Sequence, residues 1–232
     1  MINIIKSESR GQANHGWLQS NHTFSFANYY NPDRMGFSHL RVINDDTLRA
    51  GRGFDAHSHR DMEIISYVLE GDIEHKDNQG NTRKLPAGEF QLMSAGSGIT
   101  HSEYNASNTK PLKFLQIWIE PNERSGKPSY QQKDFGQKWG LTKVISPNGD
   151  GDSLQIKQNA TLYQLFLQSN QHKILTIEEG HDVYVHLIAG EIQLDGELLK
   201  PGDGAKVDKQ SKLYIRSASD KTVQALIFDL GK

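Results

Sequence analysis

The apolar residues of this chain come in runs too short for helices, each closed off by turn-forming residues. Residues 40–43, 63–69, 114–119, 183–188 and 223–228 are such runs. Between them lie Asp77-Asn78-Gln79-Gly80-Asn81, Pro86-Ala87-Gly88, Asp195-Gly196 and Pro201-Gly202-Asp203-Gly204. Short β-rich runs separated by Gly, Pro, Asn and Asp predict an all-β fold of hairpins. One unit also recurs. Leu69-Glu70-Gly71-Asp72-Ile73 resembles Ile188-Ala189-Gly190-Glu191-Ile192, and each is followed by a hairpin and a turn at Pro86 or Pro201. Two copies of one β-unit predict two antiparallel β-barrels, stacked on one another. The break falls in the polar stretch 121–139, which divides the chain into 1–130 and 131–232.

The 232 residues include no cysteine. Disulfides and thiolate metal sites are therefore excluded, and any metal must be held by His, Asp or Glu. Formal net charge is -2, which gives no basic footprint for nucleic acid; a protein partner is not excluded. The opening Met1-Ile2-Asn3-Ile4-Ile5-Lys6 is too short and polar for a signal peptide. No stretch has the length of a membrane span, and the cytoplasm is the expected location.

Two tripeptides carry the chemistry: His57-Ser58-His59, and His101-Ser102-Glu103 after the glycine-rich Ala95-Gly96-Ser97-Gly98-Ile99-Thr100. On a strand, residues i and i+2 face the same way. Two such strands facing one another inside a barrel bring three imidazoles and one carboxylate to a point. That donor set suits Fe(II), Mn, Ni, Co, Cu or Zn rather than Ca or Mg. Four protein ligands on a six-coordinate ion leave two positions open for chemistry. With ten histidines in the chain, one His-x-His alone reads more readily as a surface pair; the second pair at the same spacing shifts the balance. His15, His22 and His39 read as loop or core residues, His75 as a solvated hairpin residue, and His172, His181 and His186 lack a partner at ligand spacing. Aligning the two repeats puts Thr176 and Glu178 opposite His57 and His59, and Arg216 and Ala218 opposite His101 and Glu103. The second barrel is thus expected to bind no metal.

The segments Arg10 to Trp17, His22 to Phe26, Met35-Gly36-Phe37, His57 to Glu63, Pro86-Ala87-Gly88 and Met93 to Glu103 resemble the pirin family of the cupin superfamily, above all bacterial pirins of quercetinase type. The resemblance implies a bicupin with metal in the N-terminal barrel and a degenerate C-terminal one. It implies His57, His59, His101 and Glu103 as ligands and Glu63 as a hydrogen-bonding strand residue. It further implies a quercetin 2,3-dioxygenase-like enzyme, which opens a flavonol or similar enol with O2 and releases CO. In that reading Fe(II) is the expected metal, Glu103 is the general base, and Phe54 lines the pocket for a small planar phenolic substrate or packs in the core. The other reading within the family is a regulatory module, a metal-dependent redox sensor or co-regulator that binds a protein partner, with Arg60 as a candidate contact. A monomer is expected.

Overall fold

In the computed structural model, residues 1–231 are described. Among them regular structure is β-strand, apart from three single-turn 3-10 segments. The chain is all-β. Each run read as a strand lies within one: Leu40–Leu48, Glu63–Glu70, Leu112–Ile119, Asp182–Ala189 and Val223–Leu230.

Two compact units result. One is Gly11–Gly136 with Ile156–Gln158; the other is Met1–Arg10, Gln137–Gln155 and the chain from Asn159 on. The sequence reading drew the division at 130/131 and kept the first residues in the first unit. Strand pairing places both differently. Ser129–Asp134 pairs with Glu89–Ser94, which holds the chain through residue 136 in the first unit. Ile2–Ile5 pairs antiparallel with Gly204–Val207 in the second. There, Lys6 Nζ meets Asp203 Oδ2 at 3.1 Å, and the Ser7 N–H donates to Asp203 Oδ1 at 2.8 Å.

Each unit has a seven-stranded and a four-stranded sheet. In the N-terminal unit the larger sheet runs Ser129–Asp134, Glu89–Ser94, Glu63–Glu70, Leu112–Ile119, Leu40–Leu48, Leu18–His22, Gly11–Asn14. The smaller runs Gly53–His59, Ile99–Asn105, Asp72–Asp77, Thr82–Pro86. The C-terminal unit runs Ile2–Ile5, Gly204–Val207, Asp182–Ala189, Val223–Leu230, Ala160–Leu167, Gly140–Ser146, Leu154–Gln155, and then His172–Thr176, Lys212–Ser217, Ile192–Leu194, Glu197–Leu199. Strand for strand the orders match, with Ile2–Ile5 in the place of Ser129–Asp134; only the last strand differs, joining its sheet in parallel. The repeat's glycines sit at equivalent corners. Gly71 has φ +82 and Gly190 φ +74, and a Cβ at either would press on the main chain of the neighbouring strand, so glycine is required at both.

The interiors differ. Seventeen buried apolar residues form one cluster in the C-terminal unit. The N-terminal unit has two smaller apolar clusters, separate from one another. Glu63–Glu70 shows why: Ile64 belongs to one cluster and Val68 to the other, and Ser66 lies between them. Across the sheet, cross-strand pairing extends that position into a polar row of His22, Asn44, Gln116, Ser66, Gln91 and Gln132. A polar row through a sheet's buried face is costly unless something is bound there.

Candidate metal centre

The four-stranded sheet of the N-terminal unit supplies the groups that face this row. On Ile99–Asn105, His101 lies opposite His57 on one neighbouring strand and opposite Asp77 on the other. Glu103 lies opposite His75. A bulge between His101 and Glu103 brings Phe54 across from Glu103. Because side chains alternate along a strand, His57, His59, His75, Asp77, His101 and Glu103 share one face.

Two donor trios result. His57, His59 and His101 each offer an atom within 4.8 Å of the others, and so do His75, His101 and Glu103. The expected trio of histidines therefore comes together, while Glu103 groups with His101 and His75. His75 departs from the sequence reading. It is fully buried rather than solvated, because the hairpin carrying it turns that face inward. Its signal was in the sequence: His75-Lys76-Asp77 repeats the i, i+2 spacing of the two ligand pairs.

The histidines of the first trio present nitrogens that the protein leaves unused. His57 Nδ1–H donates to the Asp55 carbonyl at 2.7 Å, which leaves Nε2 bare. His59 Nε2 and both ring nitrogens of His101 are buried without a hydrogen-bond partner among the described residues. Burial pushes the His59 pKa down to about 4, helped by His101 and His57 and opposed by Glu103. Burial likewise pushes His101 to about 3, helped by His57 and His75 and opposed by Asp77. At neutral pH both rings are neutral lone-pair donors. Bare, neutral, buried nitrogens beside a carboxylate are what a divalent transition metal requires, and the residues present fit one.

This sets a pH dependence for the metal-free protein. The folded pKa values lie below the free value of 6.5, so below pH 6.5 the unfolded chain takes up protons that the folded one refuses. Stability is present above that pH and is lost as pH falls toward 4 and then 3. Melting temperature followed from pH 7 to 4 should drop, and less steeply in His59→Gln. A flat wild-type profile would contradict the buried, neutral assignment.

Glu103 is itself held. Its Oε1 lies 3.1 Å from Ser66 Oγ, its Oε2 accepts from Gln116 Nε2 at 3.0 Å, and Ser66 Oγ–H reaches Gln116 Oε1 at 2.9 Å. Nothing in the sequence singles out Ser66 or Gln116; only the register does. Gly53 guards the same place, since a Cβ there would overlap the main chain of Glu103 and Tyr104. Gly53→Ala should cost about 1–3 kcal/mol of stability through that overlap, read as a shift in denaturation midpoint; an unchanged midpoint would show that the two strands separate freely.

A cavity of about 700 Å³ opens onto His57, His59 and Glu103. Trp17, Phe26, Tyr29, Phe54 and Trp118 form its aromatic walls. Trp118 meets His59 at 5.0 Å and Phe26 at 5.4 Å between ring centroids; Phe54 meets Trp17 at 5.4 Å. Phe54 thus both lines the cavity and packs against a neighbouring apolar cluster. His15 and His22 also reach the cavity wall. Ser20 Oγ, Asn44 Oδ1 and Trp118 Nε1, on residues of that wall, are buried polar atoms without a partner among the described residues. Glu63 lies elsewhere, buried and accepting from Ser94 Oγ and the Lys157 N–H.

Matching the sheets by pairing register shows what the C-terminal unit has instead. With Ile192 in the place of Ile73, the positions of His57, His59, His101 and Glu103 fall to Leu175, Ile177, Leu213 and Ile215. Those of Ser66 and Gln116 fall to Val185 and Ile227. All six belong to the apolar cluster. The sequence alignment had slipped by one residue on one strand and by three on the other, which turned outward-facing residues toward the comparison.

The sequence profile described as Pirin matches residues 5–119, and that of the quercetinase C-terminal cupin domain matches residues 143–230. The chain is 46% identical over 230 residues to quercetin 2,3-dioxygenase of Escherichia coli K12, with 99% of each covered. It is 38% identical to a pirin-like protein of Caulobacter vibrioides, covering 95% of this chain and 96% of that one. Among solved structures, the bacterial pirin YhhW of Escherichia coli in complex with nickel(II) superposes with a TM-score of 0.96 at 46% identity, covering 100% of this chain and 99% of that chain.

Proposed function

Because this chain belongs to the pirin family over both of its units, we propose that it is a metal-dependent dioxygenase of the quercetin 2,3-dioxygenase type. It opens a flavonol or similar enol ring with O2 and releases CO. The observation that carries the reading is the conjunction of bare imidazole nitrogens and a held carboxylate at the end of an aromatic cavity.

His57, His59, His101 and Glu103 would hold one divalent ion; Fe(II) and Ni(II) both suit these donors. When bound, that ion supplies Lewis acidity, which makes a phenolic or enolic hydroxyl far easier to deprotonate. The protein does the rest. Trp17, Phe26, Phe54 and Trp118 enclose a planar ring system and exclude water. Ser20, Asn44 and Trp118 Nε1 offer the few polar contacts that orient its hydroxyls.

Glu103 receives the proton at Oε1. The hydrogen bonds around it explain why it can. With Glu103 ionised, the single proton of Ser66 Oγ must choose between Glu103 Oε1 and Gln116 Oε1. With Oε1 protonated, Glu103 donates to Ser66, Ser66 donates to Gln116 Oε1, and Gln116 Nε2–H donates to Oε2. The ring of bonds then closes, with one proton in each of its three contacts.

The test is metal analysis of untagged protein grown with iron or nickel, followed by quercetin loss, O2 uptake and CO release. Saturable turnover with matched O2 and CO supports the reading. One bound metal with no turnover of any flavonol would overturn the substrate class.

A further inference from the structure

His75 and Asp77 are not needed for the reading above, yet they are built as carefully as the groups that are. We propose that His75, His101 and Glu103 form a second, inner position for a divalent metal, zinc in particular, and that its occupation excludes the outer position because both need His101. The proposal goes beyond the catalytic reading and does not require it, although the two share His101 and Glu103.

The inner donors meet the same geometric standard as the outer three histidines, lying within 4.8 Å of one another. All three are buried: His75 is 0%, His101 1% and Glu103 1% exposed. His75 is prepared as a ligand. Its Nε2–H donates to Asp77 Oδ2 at 3.0 Å, which leaves Nδ1 bare, and that Nδ1 has no hydrogen-bond partner among the described residues. A carboxylate behind an imidazole is the arrangement that orients metal-binding histidines. Asp77 is fixed in turn by the N–H groups of Gln79 and Asn81 and by the Asn81 side chain, at 2.8–3.0 Å.

The two positions differ in surroundings. His57 and His59 line the aromatic cavity, whereas neither His75 nor His101 does. The outer position thus has open sites toward substrate, which suits six-coordinate iron or nickel. The inner one has two nitrogens and one oxygen, with only Glu103 reaching the cavity; three donors and one remaining position suit the four-coordinate preference of zinc.

The test uses the full, untagged, metal-free chain carrying His57→Ala and His59→Ala, titrated with zinc(II) by calorimetry beside a melting curve. The expected result is one equivalent of zinc bound, with a raised melting temperature. Adding His75→Ala should weaken that binding at least tenfold. A folded double variant that binds no zinc, or binding indifferent to His75→Ala, overturns the inner position. If the double variant does not fold, cobalt(II) is titrated into the wild type and His75→Gln. The wild type should show the intense visible band of four-coordinate cobalt and the variant should lose it; identical spectra overturn the proposal. Neither arm reads turnover, so failure of the dioxygenase reading leaves this result intact, and the converse holds.

Discussion

Glu103→Gln should lower flavonol turnover by roughly two to four orders of magnitude, the range a positioned general base contributes, in a protein that folds as well as the wild type. An amide in this place has the shape of the protonated carboxyl. Its NH2 can donate to Ser66 Oγ, Ser66 can donate to Gln116 Oε1, and its carbonyl can accept from Gln116 Nε2. The hydrogen-bonded ring around Glu103 therefore closes for the amide as it does for the acid, but the amide takes up no proton. Separation of the two readouts is the point. The metal-free melting temperature should hold or rise while kcat collapses. Turnover within tenfold of wild type would remove Glu103 from the role of base.

His101→Ala should abolish metal binding altogether. His101 is the donor common to both trios, and its ring lies 4.4 Å from that of His57, 5.0 Å from His59 and 5.4 Å from His75. Loss of an outer-shell partner weakens metal binding about 10–100-fold; loss of a donor that both trios share should exceed that. Metal analysis after dialysis should find the variant empty. Because both ring nitrogens lack partners when no metal is bound, the metal-free variant should unfold close to where the metal-free wild type does. A full equivalent retained by the variant would show that His101 is not a ligand.

Much of this was legible in the residues. Period-two spacing put His57 with His59 and His101 with Glu103 because strand geometry leaves no other choice. Turn residues gave the hairpins because glycine at a corner such as Gly71 answers a local demand. What stayed hidden depended on pairing between distant strands. Ser66 and Gln116 look like ordinary strand residues until Glu63–Glu70 and Leu112–Ile119 are set side by side in register. His75 was misread because a hairpin's polar sequence does not say which of its faces turns inward. The C-terminal equivalents were misread for the related reason that alignment from a turn cannot see how many residues lie in the corner before the next strand begins.

The pairing of Ile2–Ile5 with Gly204–Val207 has a consequence for how the chain tolerates being divided. An uncapped strand presents a row of unused N–H and C=O groups, a template for joining another molecule. In the C-terminal unit that row is covered by the outset of the same polypeptide. A fragment beginning at residue 131 would leave Gly204–Val207 as an open sheet margin inviting self-association. Released leading strands from two molecules could also trade places. The opening residues are therefore a working part of the second unit, and Ile2–Ile5 takes over as the margin of its larger sheet.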